Sequence, residues 1–336
     1  MELGEVNNQS SWEAMFSESP HAHFLQSWDW GEFQSQVGNT VKRYLVGPTK
    51  IPVQVIVHVL PFGLSYWYIP YTIIGFDQLS PLINEAKKQK AVFIRLELIE
   101  PRGEQLPTGA VSVPPRQPMT TLIIDVTQPL AKIQADFHQK TRYNIGLAER
   151  KGVHIVWEKK PDIFVTLMQE TTTRDRFKAH PNNYYVRLIE NPLTEQGIAY
   201  VGDEPVASGI FIHYRQSYTY THGASTTKHR EYMAPYALQW TAIKRAQELR
   251  AHYYDFWGIA PQATESIVGN TTKTIETIEQ FHKVTWKKSH PWAGVTRFKA
   301  GFGGEVRSVG SSFEIPVRNN FYSLIKGIKK ILSFRI

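Results

Sequence analysis

Apolar residues along this chain recur with two periods, and the switches between them mark out its elements. Residues 41–46, 52–60 and 64–69 are β-branched and aromatic, with breaks at Gly47-Pro48-Thr49-Lys50 and Pro61-Phe62-Gly63, which predicts three strands in a meander. A polar helix over about 78–90 and a β-branched run over 91–98 follow. Ahead of the meander, residues 11–16 and 26–33 suit short helices, the second N-capped by Ser27. A proline- and glycine-rich stretch, 102–118, reads as a linker.

Beyond it the pattern predicts a strand over 121–126, one long basic helix over 129–151 and further helices over 161–172 and 181–190. Three more strands follow, over 197–201, 206–214 and 218–221. The clearest stretch then runs from Met233 to Ile259. Pro235 fits a first helical turn, and Ala234, Leu238, Ala242, Ala246 and Leu249 recur on one side, with Thr241, Lys244, Arg245, Gln247 and Glu248 on the other. After Arg250 the period changes to the strand-like Tyr253-Tyr254-Asp255-Phe256-Trp257, closed by Gly258. A helix over 275–282 and an amphipathic segment over 320–336 complete the chain. The latter sets Phe321, Leu324, Ile325, Ile328, Ile331 and Leu332 on one side and Lys326, Lys329, Lys330 and Arg335 elsewhere.

Both halves therefore read as a strand meander followed by a helix crossing over to a strand with an acidic residue, Glu97 in the first and Asp255 in the second. That is an α/β build of the N-acetyltransferase type, duplicated, with an interdomain cleft expected between the copies. An Asp among four aromatics at a strand end followed by Gly is where such folds present ligand groups.

Composition narrows the chemistry. The chain has 336 residues, 42% of them hydrophobic, enough for two domains. It has no cysteine, which excludes disulfides, thiolate nucleophiles and Cys-ligated metal. Neither a signal pattern nor a membrane-length apolar run is visible, so a cytoplasmic setting is expected. A net charge of +8 favours polyanionic partners such as RNA, nucleotide diphosphates or an anionic membrane face. Several familiar sites fail. Residues 269–274 lack the second glycine of a phosphate loop, and no G-x-S-x-G elbow is present. His21 and His23 have no companion cluster, so no metal is expected. Residues 223–228 lack the glycine-rich cradle of a coenzyme-A acetyltransferase. What remains is Lys299, between Phe298 and a glycine-rich turn, a cation placed to bind phosphate or to stabilise the oxyanion formed when an amine attacks an ester.

Four ordered motifs resemble the FemABX family of non-ribosomal aminoacyltransferases: Lys140-Thr141-Arg142-Tyr143-Asn144-Ile145, Ala234-Pro235-Tyr236-Ala237, Tyr254-Asp255-Phe256-Trp257-Gly258, and the run from Gly294 to Gly304. The resemblance covers essentially the whole chain. It implies two tandem GNAT-like domains, 1–117 with 312–336 returning to it, and 118–311. It also implies transfer of an amino acid from aminoacyl-tRNA to a stem-peptide amine of a UDP-linked or lipid-linked muramyl peptide, with the tRNA as co-substrate and no resident cofactor. Lys299 resembles the family's transition-state lysine. Glu97 matches an acidic cleft position where it would orient the amine, and Asp255 is the second candidate carboxylate. His180 and Tyr184 stand where other members grip the precursor with arginine and tyrosine, while Gln34 replaces a binding lysine and Val92 a binding tyrosine. Histidine lacks arginine's fixed charge and fork, which turns the expectation toward a lipid-linked acceptor. Tyr236, Trp257 and Phe298 are the expected aromatic contacts. Lys140, Arg142, Arg150 and Lys151 form the expected track for tRNA phosphate. The C-terminal segment is expected either to close the first domain or to touch the inner membrane face. The competing readings are a non-catalytic binder of cell-wall precursor or RNA, and tRNA-dependent acylation of another amine.

Overall fold

The computed structural model describes residues 3–100, 106–263 and 277–332, with side chains described as far as residue 327. The chain forms two compact units, Met1–Gln117 with Val309–Ile336, and Pro118–Ser308. In the first, β1 (Leu3–Glu5), α1 (Gln9–Ala14) and α2 (Trp28–Gln36) precede the meander β2 (Thr40–Val46), β3 (Ile51–Val59) and β4 (Ser65–Thr72). Helix α3 (Ser80–Lys88) then crosses to β5 (Ala91–Leu98), followed by β6 (Val111–Ser112). The second unit opens with β7 (Thr120–Asp125), α4 (Leu130–Ala135), α5 (Gln139–Arg150), β8 (Val153–Trp157), α6 (Pro161–Asp175) and α7 (Asn182–Glu190). It continues through β9 (Thr194–Val201), β10 (Glu204–Tyr214), β11 (Ser217–Ser225), α8 (Ala234–Glu248) and β12 (Tyr253–Gly258). The hairpin β13 (Ile278–Phe281) and β14 (Val284–Lys287), helix α9 (Ala293–Ala300) and β15 (Glu305–Ser308) end it. Strand β16 (Ser312–Pro316) and helix α10 (Asn319–Leu332) belong to the first unit again.

Among the described residues each unit holds a seven-stranded sheet, ordered β1-β2-β3-β4-β5-β16-β6 in the first and β15-β7-β12-β11-β10-β9-β8 in the second. Read from β1 and from β8 the two orders match step for step. An antiparallel meander is followed by a parallel pairing across the crossover helix, β4 with β5 and β11 with β12. An antiparallel sixth strand then follows, β16 or β7. Covered on both faces, β5 is buried along its whole length, which is why it reads as a continuous apolar run. Helix α8 packs on β8–β11 and also against α5. Its burial therefore extends beyond the expected side to Gln239, Trp240 and Ile243.

Several expected elements differ. The long helix over 129–151 is two helices. Phe137 drops into the core, the His138 ring accepts the Lys140 N–H as an N-cap, and the Arg142 guanidinium donates to the Ala135 and Phe137 carbonyls, closing α4. The described part of the helix expected over 275–282 is instead strand β13, because His282 at φ +55° turns the chain into β14, whose alternate residues Val284 and Trp286 are fully buried. The apparent phosphate loop, 269–274, lies outside the described residues. Within the expected linker, Val111–Ser112 pairs with β16. Strands β8, β15 and β16 carry no clear alternation and were not expected.

Helix α10 turns Tyr322 and Ile325 inward against Val92, Phe93 and Leu60 of its own unit. Lys326, expected to edge an exposed apolar stripe, instead pairs with the buried Glu314 at 2.7 Å. No described helix is long and apolar enough to cross a membrane.

Candidate active site

The site begins with a fault in a ladder. Strand β12 sends Tyr254 and Phe256 into the core and Asp255 to the opposite face. Past Asp255 its pairing with β7 slips, and Trp257 takes φ +61°, unusual for a bulky residue. The Asp255 carboxylate compensates, accepting the Trp257 N–H at 2.7 Å together with the Thr121 hydroxyl. Burial pushes the Asp255 carboxyl up from its ordinary value, while those hydrogen bonds and the charges of Lys299 and Arg307 pull it down.

The bulge leaves the Gly258 carbonyl accepting from Lys299 Nζ at 2.8 Å. A Cβ at residue 258 would meet Pro118 at 2.7 Å and Trp292 at 3.1 Å, so only glycine fits. Lys299 was expected in a glycine-rich turn but lies in the last turn of α9, and it is 6% exposed. That helix is tied to the end of β12 by the Thr296 hydroxyl, which accepts the Ala260 N–H at 2.8 Å. Among the described residues the Lys299 ammonium has no carboxylate within ion-pair distance and no hydrogen-bond partner but the Gly258 carbonyl, leaving two of its three donors unused. Its nitrogen lies 5.8 Å from the centre of the Tyr220 ring, within cation–π reach. Burial pushes its pKa down to about 7 against the opposing pull of Asp255.

Around this cation stands a group of rings from β11 and the start of α7. His180 stacks on Tyr184 at 3.9 Å, and the His222 ring lies edge-on to Tyr184 and Tyr185 at 6.0 and 5.3 Å. The His222 pKa is pushed down to about 3, first by burial and then by the neighbouring His180 and Lys299. Lys299 acts electrostatically on both His222 and Asp255. Residues Tyr220 and His222 were missed in the sequence; the pairing of β11 with β10 slips between them, Tyr220 lying opposite Phe211 and His222 opposite Ile210, so simple two-residue alternation could not have grouped them. Gly223 makes room for Tyr220, since a Cβ there would strike its hydroxyl.

The remaining expected residues fall elsewhere. Tyr236 and Phe298 meet edge to face at 5.0 Å and pack with Phe302 at the margin of the core, where they brace α9. Trp257 is half-buried on the bulge. In the first unit, Glu97 is fully buried, accepting from the Tyr68 hydroxyl and the Arg116 and Gln117 N–H groups, so its oxygens tether the chain leaving the sheet. Gln34 accepts from Asn39 at 2.9 Å, and Val92 is fully buried. The four expected tRNA-binding cations do not form a uniform track. Lys140 and Arg150 are exposed on α5, but Arg142 is engaged with carbonyls of α4 and its border, and Lys151 donates to the Glu231 carbonyl at 3.0 Å.

Comparison with known proteins gives a consistent picture. The model of the FemAB family matches residues 103–194 and 192–330. Aminoacyltransferase FemA of Staphylococcus epidermidis is 25% identical over 127 residues, 38% of this chain and 25% of that protein. Aminoacyltransferase FemB of the same organism is 25% identical over 126 residues, with the same shares. The match thus spans about a quarter of the length of these curated relatives. Among solved structures, FemX superposes with a TM-score of 0.74 at 17% identity, covering 97% of this chain and 100% of that one. A tandem GNAT protein from the clavulanic acid biosynthesis pathway gives 0.50 at 10% identity, covering 94% and 98%. At these identities the likeness is one of fold, and that fold is two GNAT-like domains in tandem.

Proposed function

Because this chain belongs to the FemAB family, we propose that it is an aminoacyltransferase that moves an amino acid from aminoacyl-tRNA to the stem-peptide amine of a peptidoglycan precursor. The amine attacks the ester carbonyl, a C–N bond forms, the ester C–O bond to the tRNA ribose breaks, and the proton the amine gives up ends on the departing ribose oxygen. The observation that carries the reading is Lys299, a buried ammonium with two unused donors and no carboxylate partner among the described residues. Leaving a charge so placed costs stability, and preorganised donors of this kind are effective where negative charge develops in a transition state. The ring group of His180, Tyr184, Tyr220 and His222 holds the acceptor beside it, with Asp255 setting the bulge. A lipid-linked muramyl peptide suits His180 better than a UDP-linked one, whose diphosphate gains from arginine's fork. The tRNA backbone lies along α5, held by Lys140 and Arg150 with Arg142 and Lys151 beside them. No resident cofactor takes part, and the reaction runs on the cytoplasmic side.

The test is consumption of charged tRNA by the purified protein. Release of uncharged tRNA only when a muramyl-peptide acceptor is present, with the acceptor gaining the mass of one amino-acid residue or more, is the expected result. Binding of either substrate without turnover would leave a non-catalytic binder. Turnover with another amine but not with muramyl peptide would move the acceptor class.

A further inference from the structure

The first unit carries a surface that the transfer reaction does not use. At the turn between β3 and β4, Val59 is 81% exposed and Phe62 is 90% exposed. Phe62 is held at φ +63°, a strained setting for an aromatic residue, in a turn closed by the Leu60 N–H donating to the Leu64 carbonyl at 2.7 Å. Leu60 beneath it is buried in one cluster with Tyr322 and Ile325 of α10. On α10 the neighbouring Phe321 and Leu324 point outward, 37% and 57% exposed. Single exposed apolar residues are ordinary, whereas four on two neighbouring protrusions are not.

Cations converge on the same end of the sheet. Ser65, which opens β4, pairs with Ala91, so Lys90 and the exposed Lys87 and Lys88 at the end of α3 lie beside the turn. Of these, Lys88 is shared with Glu85 at 3.5 Å. The Arg318 N–H bonds to the Val92 carbonyl at 3.0 Å at that end, and its guanidinium covers the Phe321 ring at 4.3 Å. Apolar tips with cations around them match the layering of a bilayer surface, where rings enter the acyl boundary and lysines meet anionic headgroups.

We propose that this end of the first unit, the β3–β4 turn with the start of α10, docks on an anionic lipid bilayer. Its cations are complementary to the anionic headgroup of phosphatidylglycerol. The surface is centred on Phe62 and Val59, and the amphipathic C-terminal segment contributes only its outward residues. Docking is read without turnover, so its failure and failure of the aminoacyltransferase reading are separate outcomes.

Full-length protein is mixed with vesicles of phosphatidylcholine alone and with added phosphatidylglycerol, and sedimentation is measured across salt. Binding to the anionic vesicles, lost at high salt, is expected. The substitutions Val59→Ser with Phe62→Ser should lower partitioning about tenfold or more, and Lys87→Gln with Lys88→Gln and Lys90→Gln by a similar factor. Circular dichroism and melting curves of both variants confirm that these exposed sites leave the fold intact. Since the chain has no cysteine, a polarity-sensitive dye on Phe62→Cys reports insertion directly, as a blue shift on anionic vesicles. The proposal is overturned if the parent fails to sediment with anionic vesicles, if the Val59/Phe62 variant sediments equally, or if the dye does not shift. A dye shift that follows protein concentration without vesicles would also overturn it, giving the surface to a second copy of the chain.

Discussion

Each unit of this molecule buries a cation near its sixth strand, and the two are treated in opposite ways. In the first unit Arg95 on β5 donates to Glu314 on β16, and Glu314 also takes the Tyr322 hydroxyl and Lys326, so the buried guanidinium has a counter-charge, although its Nε is left without a hydrogen-bond partner. In the second, Lys299 is as deeply buried but has one carbonyl and no carboxylate partner among the described residues. The crossover strands repeat the contrast. Glu97 on β5 receives hydrogen bonds that fasten the chain, whereas Asp255 on β12 holds a bulge beside the lysine. One unit thus gives its buried cation a carboxylate, and the other, among the described residues, does not. Burial alone does not mark a functional charge; the absence of a counter-charge does.

The comparison can be broken most forcefully in the first unit. Glu314→Ala strands a buried arginine and should cost about 3–5 kcal/mol, read by denaturant titration of the full chain. A loss below about 1 kcal/mol would mean that Arg95 is not dependent on its partner. In the second unit, Lys299→Met should lower turnover by roughly 10²-fold or more, the scale of losing one oxyanion donor. Its stability should rise, the reverse of the first result. The sign follows from the pKa of about 7, which lies below the ordinary lysine value of 10.5. The unfolded chain then binds the proton more tightly, and this group's contribution to stability improves as pH rises between the two values. The parent should therefore gain stability over that window relative to Lys299→Met, and parallel pH profiles of melting would refute the assignment. Turnover that needs the ammonium should fall as pH climbs past Lys299's pKa in the loaded site, a limb the Met variant lacks.

Smaller effects sharpen the role of Asp255. Thr121→Val removes one donor to its carboxylate and should cost about 1 kcal/mol of stability, with turnover reduced only as far as the bulge loosens. A loss as large as that of Lys299→Met would make the carboxylate a direct participant. The weakest expected effect is on α5. Lys140→Gln with Arg150→Gln should lower tRNA affinity severalfold and reduce its salt slope by about two, since each neutralised phosphate contact removes about one. An unchanged slope would place the tRNA elsewhere.

Much of this was legible in the chain. The two meanders and crossover strands followed from periodicity, and 91–98 coincides with the observed β5 because a strand buried on both faces leaves an unbroken apolar run. Lys299 was singled out, but its setting was misread. The glycines after it suggested a loop, whereas Ala293–Ala300 is helical and the positive-φ glycines, Gly303 and Gly304, lie just beyond. The break between α4 and α5 was invisible because it depends on tertiary partners, Phe137 entering the core and Arg142 capping backward, within a locally helical sequence. His222 escaped notice since a histidine's significance comes from what surrounds it, and its ring neighbours lie some forty positions away in the chain.

Strand β16 carries a consequence for synthesis. It is the sixth strand of the first sheet, yet it is made after the whole of the second unit, and Arg95 and Glu314 are 219 positions apart. While the ribosome is making residues 118–308, β5 has an unoccupied edge and Arg95 lacks its counter-ion. The second unit, contiguous in the chain, has all its strands before the first can close. The later-made strand therefore completes the earlier-made sheet, and a released chain ending at residue 311 should show its second unit resistant to protease while the first is still cleaved.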